Sequence, residues 1–218
     1  IESRAEARVS GDFPVYKGKQ VINTEGRHGI SEVLIQEGSG TRAIQCDCLA
    51  VSGGWNPSVH LSCHMNGRPV WREDIASFVP AKNAVPGLRA AGAANGVFST
   101  AGCLKSGHDA AVNALKEIGK RAKSVAIPKA EDGTYEITPL WQVPGKGRAW
   151  LDFQNDVTVK DIKLAAQENF RSVEHMKRYT TQGMATDQGK NSNVGALAVL
   201  ADVTGRAIPE TGTTTFRP

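Results

Sequence analysis

The sequence predicts an α/β portion followed by a small all-α module, and three observations lead to this fold class. Short apolar runs separated by glycines alternate like strands through residues 1–53. A glycine-bearing turn near residue 92 then leads into a long segment whose apolar residues recur at helical spacing. From residue 150 onward the pattern is helical almost throughout. Strands followed by a separate run of helices indicate two structural parts.

Composition and charge exclude several classes of protein. The chain has 218 residues, 22% of them charged, and a formal net charge of +4, all ordinary for a globular protein. No apolar run approaches the roughly 18 residues of a membrane helix, and no signal peptide is visible. Basic and acidic residues are interspersed, so we expect neither a nucleic-acid nor a membrane partner. The four cysteines lack a CxxC pair and predict reduced thiols in a cytoplasmic protein.

In the α/β portion, the apolar runs at 20–23 and 32–36 predict a hairpin or meander. Segments 43–54 and 88–93 have the pattern of buried strands. A helix from about 101 to 121 follows, with an apolar stripe of Leu104, Ala111, Leu115 and Ile118. A strand, a glycine turn and a helix that begins with small residues form the unit that doubly wound sheets place beside dinucleotides. A tightly packed strand–helix junction explains the same pattern.

The C-terminal part begins after a linker. Residues 122–149 are rich in proline and glycine and lack periodicity. Thr158 and Asp161 match a capping box, which predicts the start of a helix. Ser172 predicts the start of a second helix and Gly205 the end of a third. Three helices in about 55 residues bury little apolar surface alone, so we expect them to pack on the preceding portion or on a partner subunit.

The connection between the last two helices is the most distinctive stretch of the chain. It is rich in hydroxyls and glycine, it nearly lacks bulky aliphatics, and a lysine precedes the following helix. Hydroxyl donors, close backbone approach and a helix N-terminus suit an anion such as a cofactor phosphate. The residues concerned are Thr180, Thr181, Gly183, Thr186, Gly189 and Lys190. An ordinary helix–helix connection with polar turn residues explains the same composition.

One group of potential metal ligands is present. His60, Cys63 and His64 would share one face of a helix. A zinc ion would need a fourth ligand or an open catalytic position, and we expect no metal site. His108 and Asp109 are adjacent and would diverge around a helix, so they do not predict a catalytic triad. We therefore predict no catalytic residue in this chain.

Several of these stretches resemble the α-subunit family of heterotetrameric sarcosine oxidases. The runs WLDFQNDVT (150–158) and VEHMKRYTT (173–181), with the loop through Lys190, carry the resemblance, and VSGGWNP (51–57) and GAANG (92–96) fit the same family. The match covers nearly the whole chain. It implies that the chain is an internal fragment of a much longer subunit, and the lack of a starting methionine agrees with this expectation.

The resemblance also implies a division into domains. Residues 1–124 would be the C-terminal part of an FAD/NAD(P)-binding-type dinucleotide domain, and 125–149 a linker. Residues 150–205 would form a helical module of the bacterioferritin-associated ferredoxin type. Residues 206–218 would lead into a folate-binding domain, and the composition of 209–218 itself predicts an extended tail.

Proteins with the ferredoxin-type module bind a 2Fe–2S cluster through four cysteines. The resemblance places those positions at Asp152, Gln154, Asp187 and Ser192. Iron–sulfur clusters need Cys or, less often, His ligands, and none of these four side chains is either. We therefore expect no iron–sulfur cluster in the module.

The family resemblance further implies cofactors. NAD would bind in this subunit, FMN at the α/β interface, FAD in the β subunit and tetrahydrofolate in the absent C-terminal domain. For NAD we expect contacts from Gly92, Ala93, Gly96, Phe98 and Thr100, although Phe98 would equally serve to fill the core. For the FMN interface we expect Thr180, Thr181, Gly189 and Lys190.

The function implied by the resemblance is that of a complex with β, γ and δ subunits. Such a complex oxidatively demethylates sarcosine to glycine with O2 and tetrahydrofolate, giving H2O2 and 5,10-methylenetetrahydrofolate. The fragment alone would be inactive and would bind and position cofactors. One alternative is an iron–sulfur or NAD-binding electron-transfer subunit of another amine or amino-acid dehydrogenase. Another is a purely structural scaffold.

Overall fold

A computed structural model of the chain describes residues 1–214. Its first portion contains short antiparallel strands, two short helices of the 3₁₀ type and two α-helices. In chain order these are β1 (Val21–Glu25), β2 (Glu32–Glu37), β3 (Gly40–Gln45), α1 (His60–His64), β4 (Val70–Arg72), the 3₁₀ helix Glu73–Ile75, β5 (Ser77–Val79), the 3₁₀ helix Gly92–Asn95 and α2 (Thr100–Glu117). The C-terminal part comprises β6 (Trp150–Asp152), β7 (Val157–Thr158), α3 (Val159–Gln167), α4 (Val173–Thr180), α5 (Asn193–Thr204) and α6 (Ile208–Thr211).

The first three strands form an antiparallel meander with β2 in the centre. Alternate side chains of a strand face opposite sides, and on β2 Val33 and Ile35 are buried with 2% and 0% of their surface exposed. Gly38 turns the chain between β2 and β3 with φ of +58°. The predicted hairpin or meander is confirmed.

Neither of the two buried strands predicted further along the chain, 43–54 and 88–93, forms as a whole, and only residues 43–45 lie in a strand, β3. β3 ends at Gln45, and in the following segment, residues 46–54, Val51 is 80% exposed. Residues 88–93 form no strand because Gly92 adopts a left-handed φ of +61° and starts a 3₁₀ helix. A strand needs a neighbour that pairs with its backbone N–H and C=O groups. No strand among residues 1–214 lies beside 46–54 or 88–93, so the strand predictions for these residues are wrong.

Helix α2 follows the glycine turn as predicted, and it is shorter at its C-terminal end than expected. The Ser99 hydroxyl caps it by accepting a hydrogen bond from the Gly102 N–H at 3.2 Å. The predicted apolar stripe is not a core face, since Leu104 and Leu115 are 36% exposed and Ile118 is 69% exposed. The reason is that the strand on which this stripe would pack does not form.

The helical part begins and ends its helices where the sequence predicts. The Asp161 carboxylate accepts hydrogen bonds from both the N–H and the hydroxyl of Thr158, each at 2.7 Å, which confirms the Asp161 half of the capping box. The Ser172 hydroxyl accepts from the His175 N–H at 3.3 Å and starts α4. Gly205 ends α5 with φ of +66°.

The core of the chain lies in this helical part. Its most deeply buried side chains are fully enclosed: Ile162, Met176, Leu197 and Leu200. Phe78 of β5 belongs to the same cluster and is 6% exposed, with Trp71 of β4 packed against its ring at 5.1 Å between centroids. The helices therefore pack on the β4–β5 hairpin, which confirms the expectation that they need the preceding portion.

Residues 120–149 contain no helix or strand. The domain boundaries placed at 124, 149 and 205 remain predictions. The segment after Gly205 is not wholly extended as expected, because α6 forms there and the Glu210 carboxylate accepts from the Ala207 N–H at 2.9 Å. The last part of the predicted lead into a folate-binding domain, residues 215–218, lies outside the described residues.

Two further observations concern the whole described chain. All four cysteines are free thiols, as predicted. Across residues 1–214, no helix combines the length and apolar character that crossing a bilayer requires.

Replacing Leu200 by alanine should lower the free energy of unfolding by about 2–5 kcal/mol, because its side chain is fully enclosed and the change leaves a cavity. The matched control is Leu164→Ala on α3, where the same side chain is 45% exposed and the cost should be about 0.5 kcal/mol. Urea unfolding of the two variants gives the comparison. Equal losses would contradict this placement of the core.

Candidate functional site

The hydroxyl- and glycine-rich stretch forms a loop, residues 181–192, between α4 and α5. The turn of the β6–β7 hairpin lies directly against it. The Gly183 N–H donates to the Asp152 carboxylate at 2.7 Å, and the Asp187 N–H donates to the Gln154 side-chain oxygen at 3.3 Å. Two separate segments of the chain thus meet to build one site.

Asp152 is the principal connection between the hairpin and the loop. One of its oxygens accepts from Gly183, and the other accepts from the N–H groups of Gln154 at 2.9 Å and Asn155 at 3.3 Å. The side chain is only 3% exposed. Hydrogen bonds to a carboxylate are shorter and stronger than those between neutral groups. The buried carboxylate therefore orients both segments at once.

The Asp187 carboxylate likewise orients backbone N–H groups, here within the loop itself. Its two oxygens accept from the N–H groups of Gly189 at 3.1 Å and Asn191 at 3.3 Å. The loop is thereby closed into a compact turn that leads into α5. Most loop amides are used in such internal bonds and do not face outward.

The four positions assigned to cysteines in ferredoxin-type modules come together as the resemblance implies. Asp152, Gln154 and Asp187 share the bonds described above, and the buried Ser192 hydroxyl accepts from the Gln182 amide at 2.8 Å. Each of the four side chains accepts a hydrogen bond from the surrounding chain. Because none supplies a thiolate or imidazole, this donor set does not fit an iron–sulfur cluster.

Gly183 and Gly189 are required by a crossing of the two sides of the loop. A Cβ on either residue would lie 3.1 Å from the Cα of the other, and both have positive φ, +67° and +76°. The glycines were expected to admit a ligand. Their conformation is explained by this backbone crossing.

Two of the three predicted threonine donors, Thr180 and Thr181, bond to the chain itself, whereas Thr186 is exposed. The Thr180 hydroxyl donates to the Met176 carbonyl at 2.9 Å, and the Thr181 hydroxyl to the Thr180 carbonyl at 2.6 Å. Lys190 differs from them, because it is exposed and within residues 1–214 no carboxylate forms an ion pair with it. Burial, followed by the charge of Lys190, lowers the pKa of His60 on α1. The outward-facing charge of the loop therefore lies on the side of α1.

Lys177 of α4 lies beneath the loop. Its ammonium donates to the Asn193 side-chain oxygen at 3.2 Å and to the Thr214 hydroxyl at 2.9 Å. Burial lowers the pKa of Lys177, and three nearby carboxylates oppose this effect, those of Glu174, Asp152 and Asp187. Nothing in the sequence pattern distinguishes this lysine from its exposed neighbour Arg178.

An apolar rim, which we define as Trp150, Phe153 and Met184, borders the loop. Phe153 is 78% exposed and Met184 is 52% exposed. Asp152 and Gly183, which directly precede Phe153 and Met184, are hydrogen-bonded to each other. Trp150 stacks on Phe153 with ring centroids 6.4 Å apart. No sequence pattern above indicated this rim, although Met184 is a bulky apolar residue within a polar loop, which is a signal for an exposed contact.

The residues predicted for NAD surround the start of α2. The Gly92 N–H donates to the Ser106 hydroxyl at 3.1 Å. Gly96 is buried, and a Cβ there would lie 2.6 Å from the Ile75 side chain, so internal packing explains its lack of a side chain. Ala93 is exposed.

The other two residues of this set differ in exposure. Phe98 is half-buried and packs on Tyr135 with ring centroids 4.5 Å apart, whereas Thr100 is exposed. The Ser99 hydroxyl that caps α2 also donates to the Asp132 carboxylate at 2.5 Å. A negative charge at this position interacts favourably with the positive end of the helix dipole. From the sequence, Asp132 is only part of the predicted linker.

His60, Cys63 and His64 lie on α1, and Cys63 is buried with 3% exposure. Burial raises the pKa of the Cys63 thiol. Within residues 1–214, no three His, Cys, Asp or Glu side chains are arranged to hold a metal ion.

The lowered pKa of Lys177 predicts a pH dependence of stability. Below the folded-state pKa the lysine is protonated in both states, and the cost of burying its charge is fully present. Between that pKa and the ordinary value of 10.5 the unfolded chain binds more protons, so stability rises with pH. The free energy of unfolding of the wild type, relative to Lys177→Met, should therefore increase as the pH rises from the folded-state pKa of Lys177 toward 10.5. Urea titrations of both proteins measure the difference, and a constant or falling difference would contradict it.

The sequence is similar to proteins of known family. The family model of the sarcosine oxidase A3 domain matches residues 146–218. Over its full length the chain is 43% identical to sarcosine oxidase subunit alpha of Rhizobium meliloti (strain 1021) and 37% identical to that of Corynebacterium sp. (strain P-1). It spans 22% and 24% of those two proteins. Both are named as subunits, which implies assembly with other subunits.

A solved structure shows the fold. The crystal structure of L-proline dehydrogenase from P. horikoshii matches with a TM-score of 0.64 and 19% identity, over 90% of this chain and 41% of that one. This likeness concerns the fold alone, and it confirms the predicted class of an α/β portion followed by a small helical module. The sequence identities show that the chain is homologous to part of the sarcosine oxidase α subunits, and it corresponds to less than a quarter of the Rhizobium meliloti subunit.

Proposed function

We propose that this segment binds and positions cofactors within a sarcosine-oxidising complex, and that the loop with its apolar rim faces the β subunit at an FMN-containing interface. The complex would convert sarcosine, O2 and tetrahydrofolate to glycine, H2O2 and 5,10-methylenetetrahydrofolate. FAD would lie in the β subunit and tetrahydrofolate in a domain after residue 218. The γ and δ subunits would complete the assembly. No residue of this chain is assigned a catalytic role.

The observation that carries the interface proposal is the apolar rim beside an ordered loop. Exposed aromatic residues and methionine are enriched at protein–protein interfaces relative to other surfaces. Here Phe153 and Met184 are exposed although their neighbours Asp152 and Gly183 are buried and hydrogen-bonded. Because the backbone that carries these apolar side chains is already ordered, little conformational entropy is lost when a partner binds.

The loop also limits how an FMN phosphate would be held. The carboxylates of Asp152 and Asp187 already accept hydrogen bonds from several N–H groups of the loop. Side chains, and not these N–H groups, would therefore contact the phosphate. Lys190 supplies the charge, while Thr180, Thr181 and Gly189 hold the shape of the loop. When bound, FMN would supply the redox group from which electrons pass to oxygen.

For NAD we propose the surface around Gly92, Ala93, Gly96, Phe98 and Thr100. The Asp132 carboxylate near the start of α2 would repel a phosphate and accept a hydrogen bond from a ribose hydroxyl. The exposed Thr100 hydroxyl suits the same group. We therefore propose that the ribose, and not the pyrophosphate, lies at the start of α2.

We further propose that the helical module contains no iron–sulfur cluster, because its four former ligand positions bind the chain itself. Iron analysis and visible absorption of the purified full-length subunit should show no stoichiometric 2Fe–2S centre. Such a centre would instead favour the electron-transfer alternative.

The two parts of the interface proposal predict different losses. Phe153→Ser should weaken assembly of the full-length α subunit with the β subunit by at least about fivefold, because it removes an exposed aromatic contact. Lys190→Ala should leave assembly intact and reduce FMN retention by about tenfold, because it removes the charge opposite the phosphate. Analytical ultracentrifugation measures assembly, and flavin released from the purified complex measures FMN.

Matched controls lie elsewhere on the surface. Phe13→Ser removes an aromatic side chain that is 62% exposed and distant in sequence, and Lys163→Ala removes an exposed lysine of α3. Neither should alter assembly or flavin content. If Phe153→Ser assembles normally, the rim is not the interface. If Lys190→Ala retains all its FMN, the lysine does not bind the phosphate.

A further inference from the structure

The ammonium of Lys177 lies where four segments of the chain meet. It extends from α4 toward the crossing of the loop, where a Cβ placed on Gly183 would lie 3.4 Å from its nitrogen. The same Cβ would lie 3.1 Å from the Cα of Gly189 on the other side of the loop. The ammonium is therefore adjacent to the point at which the loop is most tightly closed.

The other two segments meet Lys177 through hydrogen bonds. Asn193, the first residue of α5, is 1% exposed and uses both ends of its side chain. Its oxygen accepts from Lys177 at 3.2 Å, and its amide donates to the Thr213 hydroxyl at 3.1 Å. Lys177 itself donates to the Thr214 hydroxyl at 2.9 Å. The loop and the segment after α6 are thus joined through two side chains.

The carboxylates around Lys177 offset part of the cost of burying its charge. The carboxylates of Asp152 and Asp187, which hold the loop amides, and that of Glu174 all stabilise its protonated form. Removing the ammonium would leave the buried Asn193 oxygen without this donor, which costs more than the loss of an exposed bond. The start of α5 and the C-terminal segment therefore share one donor, which lies against the loop at Gly183.

We propose that Lys177 is a positioning residue that locks the 181–192 loop to residues 213–214, so that the conformations of the loop and of residues 213–214 are thermodynamically coupled. Anything that binds the loop would then stabilise residues 213–214, and anything that holds residues 213–214 would stabilise the loop, by the same factor. The functional consequence rests on the proposed interface role of the loop. The lock itself depends only on the contacts described.

The experiment is amide hydrogen exchange on the full-length α subunit, alone and assembled with its partner subunits. Thr214→Val removes one acceptor of Lys177 and preserves the shape of the side chain, so it should fold even if Lys177→Met does not. The matched control is Thr211→Val, because the Thr211 hydroxyl donates to the Ala207 carbonyl at 3.1 Å within its own helix.

In the subunit alone, Thr214→Val should accelerate exchange of the loop amides at 183–191 by about fivefold, the scale of one lost hydrogen bond. Lys177→Met should accelerate it further, and the amides of α5 around Leu200 should not change. On assembly, the wild type should gain protection at both the loop and residue 213, whereas Thr214→Val should gain it at the loop only.

Unchanged loop exchange in Thr214→Val and Lys177→Met would overturn the proposal, and so would an equal effect of Thr211→Val. Loop protection that does not increase on assembly in any of the proteins would refute the interface role. In that case the result from the subunit alone still decides whether the lock exists.

Discussion

The buried carboxylate of Asp152 is the constraint on which the site depends. A carboxylate removed from water must be matched by donors, and this one receives three backbone N–H groups from two segments that are about thirty residues apart. The requirement holds the β6–β7 turn against the loop and so fixes the backbone from which Phe153 and Met184 extend. Without it, neither the rim nor the compact form of the loop would be defined.

Hydrogen bonds inside the loop also determine what it offers to a ligand. Asp152, Asp187 and Gln154 accept from amides that would otherwise be available to an anion or to cluster sulfurs. Their bonds leave charge recognition to an exposed lysine and apolar contact to exposed Phe153 and Met184. A site with this character suits docking and positioning.

The two portions of the chain differ in how completely they are packed. The helical part has its own core, which Phe78 of the β4–β5 hairpin completes. In the α/β portion, α2 has no fully buried residue, and residues 46–54 and 88–93, expected to form strands, lack pairing partners among residues 1–214. The difference follows from the range of the interactions, because helices satisfy their own backbone groups whereas strands depend on neighbours.

Local chemistry in the sequence by itself determined the helix limits at Thr158, Ser172 and Gly205, the meander, and the free thiols, since caps, turns and alternation act over a few residues. The family resemblance of the sequence also singled out Asp152, Gln154, Asp187 and Ser192. Only the tertiary structure decided that these side chains hold backbone amides, that Gly183 and Gly189 serve a crossing, and that Lys177 joins the loop to Thr214. Those roles arise from contacts between residues far apart in the chain, and no local pattern encodes them.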